Sequence, residues 1–482
     1  MCDDAAMQRA VVVGSGPNGL AGAITLARAG LAVRVYEAAD RPGGGARSSE
    51  ATLPGLVHDD ASAAHPLAVV SPFFRDLDLG RHGLRFVSAE IELAHPLPGG
   101  RAALLWRDLD RTVDHLGTDG ARWRHTVGWA ARRFDALAGE VFRPILHVPR
   151  HPLTLGRFGA LAALPASVLA RAFRTEEAAA LLTGVAAHGF GRLTAPFSSS
   201  IGVLLAAAGH VGGWPVAEGG SQAITDALLA ELRDLGAEVV TGTHVRSFEA
   251  LGEPDVCLLD TSPGAAAAIL GDRLPARPRR AYRRWRMGPA AFKIDLAVAG
   301  PIPWTDPRVA RAGTVHVGGT VAEMVEAEAA TNAGRLPRRP FVLLGQQDVA
   351  DPGRRAGDLH PVYLYAHVPN GCEDPTAVDV ILDHVERYAP GLRDRIRHVA
   401  VTTPADLAAR NPNLVGGDIA GGASSGRQLV FRPRIAADPY ATGVPGVYLC
   451  SASTPPGAAV HGMGGYNAAR RALRHLAARG PG

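Results

Sequence analysis

The sequence predicts an α/β fold of two interleaved domains, and three observations predict it. At 482 residues the chain is too long for one ordinary hydrophobic core. Its N-terminus runs strand, glycine turn, helix and strand in register. Glycine turn, helix and strand patterns return near the middle and again at the end, so one domain is assembled from separated segments. Residues 1–80, 213–285 and 425–482 are assigned to the nucleotide-binding domain, and 81–212 and 286–424 to an α+β substrate domain.

The first element is the β-branched run of "RAVVVGSGPNGLAGAITLARAGLAVRVYEA". Gly14, Gly16 and Gly19 form GxGxxG: the first allows a tight turn, the second lets backbone approach a pyrophosphate, and the third packs helix on strand. Pro17 and Asn18 open the helix whose N-terminus faces the phosphates. Glu37 closes the second strand roughly 20 residues on, where a carboxylate accepts hydrogen bonds from ribose hydroxyls and repels a 2′-phosphate. The segment "AADRPGGGARSSE" then places Ala38, Arg41, Gly44, Gly45, Ala46 and Arg47 directly after that strand. Side-chain-free backbone there suits a long extended cofactor, FAD rather than NAD, and no second strand, GxGxxG and helix unit supplies a separate nicotinamide domain.

Composition narrows the partners. A net charge of +4, with arginines dispersed among Asp and Glu, argues against nucleic acid. Cys2, Cys257, Cys372 and Cys450 form no CxxC pair, the 18 histidines show no ligand spacing, and no metal site is expected. No run stays apolar for the ~18 residues of a membrane span, so a cytoplasmic protein is expected. "GASSG" matches GxSxG, but a loop precedes it and "RQLVFRPR" reads as a strand, where a nucleophile elbow needs strand then helix.

Taken with "GHVGGWPVAEGGSQAITDALLAELRDLGAEVVTGTHVRSF", "NPNLVGGDIAGG" and "GVYLCSASTPPGAAVHGMGGYNAARRAL", the chain resembles the phytoene desaturase family of FAD-dependent oxidoreductases, within the flavin amine oxidase superfamily. The last two segments are similar to the branch of carotene ketolases and pyridine nucleotide-disulphide oxidoreductase-like proteins. The resemblance implies adenine contact near Val245 and flavin contacts at Ser451, Gly462 and Met463. Many relatives carry an acidic "GD" pair where this chain has Ser451 and Ala452, which puts the ribityl contacts there in question. "GVYLC" reads as a buried strand and "YNAARRALRHLAA" as a helix following Gly464 and Gly465. His461, in the joining loop, is a candidate beside the flavin, with capping of a loop carbonyl as the alternative.

Lys293 is the chain's single lysine, in the alternating run "GPAAFKIDLAV". Amine oxidases of the superfamily place a lysine near flavin N5, and a desolvated amine there can exchange a proton, which guanidinium cannot readily do. The plainer reading is a strand lysine that points to solvent or pairs with Asp295 or a neighbour. His58, Asp59 and His65 are candidates for the cavity wall or for satisfied loop residues. Residues 123–173 alternate apolar faces with arginines at helical spacing, a pattern that fits an ordinary amphipathic layer around a core and leaves the lining of an apolar tunnel or contact with a bilayer surface open. The resemblance implies dehydrogenation of a hydrophobic polyene, isoprenoid or acyl-type substrate. A redox-neutral isomerase, an amine oxidase and a flavin-bound assembly subunit without turnover are the alternatives, and oligomeric state is not specified.

Overall fold

A computed structural model describes residues 7–479, and Cys2 lies outside them. In chain order the elements used below are β1 (Arg9–Val13), α1 (Pro17–Arg28), β2 (Ala32–Tyr36), β3 (Ile91–Leu97), β4 (Arg101–Leu105), α2 (Pro152–Ala162) and α3 (Glu176–Ala187). They continue with α4 (Gln222–Asp234), β5 (Glu238–Val240), β6 (Val256–Leu259), β7 (Ala290–Ala299), β8 (Ala312–Val317), β9 (Val342–Gly345) and β10 (Leu359–Val368). The last are β11 (Ile396–Thr402), β12 (Val447–Leu449) and α5 (Met463–Arg479).

β1 is Val-rich because it is buried on both faces at the centre of a parallel sheet. The five strands run β12, β6, β1, β2, β5, with Val11 opposite Cys257 on one side and Arg34 on the other. α1 begins at Pro17, whose fixed φ and missing N–H suit the first helical turn. It packs against α5 so closely that a Cβ on Gly465 would lie 1.7 Å from the Asn18 carbonyl oxygen.

The second sheet has seven strands in the order β11, β7, β10, β9, β8, β3, β4, of which only β8 and β3 pair in parallel. Its two faces differ in chemistry. Phe292, Ile294 and Leu296 on β7 join Val362, Leu364 and Ala366 on β10 in an aliphatic layer. The alternate residues Ala291, Lys293 and Asp295 stand opposite His367, Tyr365 and Tyr363, so the other face is polar and aromatic. Alternation on a pleated strand sorts these residues without further help.

Two expectations are corrected. "RQLVFRPR" forms no strand: Gly426–Val430 is a short helix. Pro433 cannot donate to a ladder, and the buried Arg432 guanidinium donates to the Gly422 carbonyl (2.9 Å), which draws the chain into a loop. α5 starts at Met463, so Gly464 and Gly465 lie inside its first turn. There they are contact residues rather than helix breakers, since a Cβ on Gly464 would meet the Cys450 carbonyl oxygen at 2.5 Å.

Candidate functional site

The turn between β1 and α1 faces the turn after β2. Gly14 has φ +100 and Gly44 φ +57, and a Cβ on Gly44 would lie 3.0 Å from the Gly16 Cα. Bare backbone therefore opposes bare backbone, with Gly14, Gly16, Gly44 and Gly45 all half-exposed. The Gly43 amide donates to the Ser15 carbonyl (3.1 Å), which ties the two turns together.

Glu37 ends β2 with its carboxylate fixed at both oxygens. One accepts from the Ser15 amide (2.9 Å) and hydroxyl (2.5 Å), the other from the Ala39 amide (2.9 Å). This holds an acceptor at the edge of the glycine turn, next to exposed Ala38. Arg41 is exposed and donates to Gln222 (3.1 Å), while Ala46 is buried and its carbonyl accepts from the Thr225 hydroxyl (2.6 Å), so α4 buttresses the turn. Arg47 lies 3.9 Å from Asp60.

Sequence reasoning missed Asp260, which follows β6 and enters the same turn. Its carboxylate accepts from the Gly19 amide (2.9 Å), and a Cβ on Gly16 would lie 2.8 Å from its Oδ2. Burial pushes its pKa up to about 7, against the Gly19 hydrogen bond, and the charge of Glu37 raises it further. The signal was an acid closing the apolar run "VCLLD", but its partner lies 241 residues away.

A second cluster sits beneath residues 58–62, a segment joined to the glycine turn by the Ser62 amide donating to the Gly45 carbonyl (2.9 Å). Lys293 is only 3% exposed; its ammonium is ion-paired with Asp295 and lies 4.8 Å from the Tyr363 ring centroid. The other Asp295 oxygen is 3.4 Å from His58 Nδ1, while His58 Nε2 meets the Thr52 hydroxyl at 2.7 Å. The Tyr363 hydroxyl donates to the Ala61 carbonyl (2.6 Å), and burial holds its proton on well above the usual phenol range. An amine, a carboxylate, an imidazole and a phenol thus converge where β7 and β10 face the 58–62 segment.

The remaining candidates have structural partners. Asp59 accepts from Arg354 (2.7 Å), Ser48 (2.8 Å) and the Ser221 amide (2.7 Å), and Arg354 also reaches Asp351 (3.0 Å). This buried network pins the 58–62 segment. His65 Nε2 meets the Ser221 hydroxyl at 2.9 Å, and burial lowers its pKa to about 4. His461 Nδ1 accepts from the Met463 amide (3.0 Å), so the imidazole caps the start of α5, and burial keeps it neutral with a pKa of about 4. Gly462 abuts Phe73, where a Cβ would come within 2.6 Å. The Ser451 hydroxyl accepts from the Ser453 amide at 3.3 Å within its own turn. Val245 is buried in an apolar cluster with Val13 and Phe248. Among the described residues no group of three or more His, Cys, Asp or Glu side chains could hold a metal ion.

The model for an NAD(P)-binding Rossmann-like domain matches residues 12–77, the glycine turns and the 58–62 segment together. The backbone closely follows solved oxidoreductases. It superposes on one from Methanosarcina mazei with a TM-score of 0.63 at 15% identity, covering 97% of this chain and 100% of that one. It superposes on wild-type putrescine oxidase bound to putrescine with a TM-score of 0.60 at 18% identity, covering 98% and 99%. The chain has an amine-oxidase-type fold. In sequence it is 27% identical to the mouse protein named pyridine nucleotide-disulfide oxidoreductase domain-containing protein 2, over 97% of this chain and 93% of that protein. It is 26% identical to hydroxyneurosporene desaturase of Rhodobacter capsulatus, over 93% and 94%.

Proposed function

We propose that the chain is an FAD-dependent dehydrogenase that introduces a double bond into a hydrophobic polyene, isoprenoid or acyl-type substrate. The observation that carries this reading is the buried Lys293, Asp295, Tyr363 and His58 cluster, set against the segment that hydrogen-bonds to the dinucleotide-type turn. The desaturase relative supports it, since that likeness runs almost the whole chain.

The residues present fit FAD. Gly14, Gly16 and Gly44 bring bare, half-exposed backbone to the N-terminus of α1, where amides would hold a pyrophosphate, and Glu37 would offer a carboxylate to the adenosine ribose. When bound, FAD supplies a two-electron acceptor for a hydride from a substrate carbon. The chain's own work is to exclude water with the layer containing Ala63, Ala291, Tyr365 and Ala420, pair the Lys293 amine with Asp295, and place that amine where it can exchange a proton. Arginine could not do this last task, because guanidinium does not give up its proton at working pH.

The test is anaerobic. The purified holoenzyme is mixed with polyenes, acyl thioesters and amines while flavin absorbance and product mass are followed. Bleaching with loss of two hydrogens from a polyene or acyl chain is the expected result. Conversion without mass change, dependent on pre-reduced flavin, would replace dehydrogenation with isomerisation, and bleaching by amines alone would make the chain an amine oxidase. Lys293→Met is expected to retain FAD and slow reduction or reoxidation; wild-type rates in both half-reactions would remove Lys293 from the site.

A further inference from the structure

Four large apolar side chains are exposed within nine residues: Ile145 at 53%, Leu146 at 49%, Val148 at 87% and Leu153 at 89%. Exposure this concentrated marks a contact surface rather than scattered surface hydrophobes. The segment is also held in shape. Buried Glu140 accepts from the Arg150 and His151 amides (2.8 Å each) and meets His147 Nε2 (2.5 Å), while His147 Nδ1 meets the Pro144 carbonyl (2.7 Å). A polar clamp inside the loop therefore turns its apolar residues outward.

Charge identifies the partner. From residue 141 to 175 the chain contains Arg143, Arg150, Arg157, Arg171 and Arg174 and no Asp or Glu. None of these five forms an ion pair among the described residues, and all but the half-buried Arg143 are exposed. On α2, Leu153, Gly156, Arg157 and Ala160 share the exposed face, whereas Phe158 and Ala162 are buried. No single helix among the described residues is long and apolar enough to cross a membrane, and the helices at 152–162 and 166–172 meet at 91°. Arg157 lies over the Trp129 ring (4.3 Å) and donates to the His125 carbonyl (3.0 Å), so its charge is left without a carboxylate among the described residues. Exposed apolar side chains in a segment whose arginines have no acidic partner are the pattern of insertion at an interface.

We propose that residues 143–160 dock this protein on an anionic lipid bilayer surface, with Ile145, Leu146, Val148 and Leu153 in the acyl boundary and the arginines at the headgroups. The loop is rooted on α5: the Phe142 ring is 5.8 Å from the His461 ring, which caps that helix, and the Phe142 carbonyl accepts from Asn467 (2.9 Å). The test needs no turnover.

The purified full chain is sedimented with phosphatidylcholine vesicles, with and without phosphatidylglycerol, and compared with Leu146→Glu/Leu153→Glu and Arg150→Glu/Arg157→Glu variants. The wild type is expected on anionic vesicles, less so at high salt. The apolar double variant should partition at least about tenfold less, and the arginine variant should lose the preference for anionic lipid, both with unchanged thermal midpoints. Absence of wild-type binding, or equal binding by the apolar variant, overturns the proposal. So does an oligomer in size-exclusion chromatography that the apolar variant dissociates without any vesicle binding, which would give the face to a second copy.

Discussion

Asp260 makes a sharp prediction because its cost is readable from the fold. In the unfolded chain its carboxyl titrates near the ordinary 3.8, whereas burial beside the glycine turn raises this to about 7. Below 3.8 both states are protonated and the residue takes nothing from stability. As pH rises the unfolded chain ionises first, so stability falls by about 1.4 kcal/mol per pH unit until the folded carboxyl ionises as well. Across the whole window the loss is on the order of 4 kcal/mol. Asp260→Asn keeps an oxygen acceptor for the Gly19 amide and removes the titration. Urea midpoints at pH 5, 7 and 8.5 should diverge, with the variant gaining on the wild type by about 2.7 kcal/mol between the lowest and highest pH, most of it by pH 7. The same substitution should preserve dinucleotide retention above pH 7, where an ionised carboxylate beside the pyrophosphate weakens it in the wild type. Parallel wild-type and variant stabilities across this range would mean that Asp260 does not carry its proton in the fold.

Two packing predictions follow from backbone contacts. Gly465→Ala puts a Cβ 1.7 Å from the Asn18 carbonyl oxygen, so α1 and α5 must separate; a loss of about 3 kcal/mol in thermal unfolding is expected, with weaker dinucleotide retention. Ala459 has φ +129, a region that suits glycine alone, so Ala459→Gly should raise stability by about 1 kcal/mol in the same measurement.

The legible parts of the structure are those whose physics is local. The GxGxxG turn and Glu37 were readable because their spacing along one βαβ unit fixes where each residue falls. Lys293 and Asp295 were readable as neighbours because a two-residue step on a strand returns to the same face. Tyr363 and His58 were not placed in that cluster, because β10 and the 58–62 segment reach β7 only through tertiary pairing. Asp260 was missed for the same reason: its partner, the Gly19 amide, lies at the far end of a parallel crossover. Gly464 and Gly465 misled in the opposite direction. Glycine usually marks the edge of a helix, but two backbones in contact need it inside one. The polar clamp at Glu140 was likewise hidden, since nothing local says that Arg150 and His151 fold back onto it.

The proposed activity requires one FAD held by the two glycine turns that follow β1 and β2. The decisive measurement is the identity and stoichiometry of nucleotide released when the purified chain is denatured, read by mass and visible absorbance. Wild-type protein should release FAD at about one per chain. Gly44→Ala, which forces a Cβ to within 3.0 Å of the Gly16 Cα, should release little. A nicotinamide dinucleotide in place of FAD, or full FAD occupancy in the Gly44→Ala variant, would contradict the account.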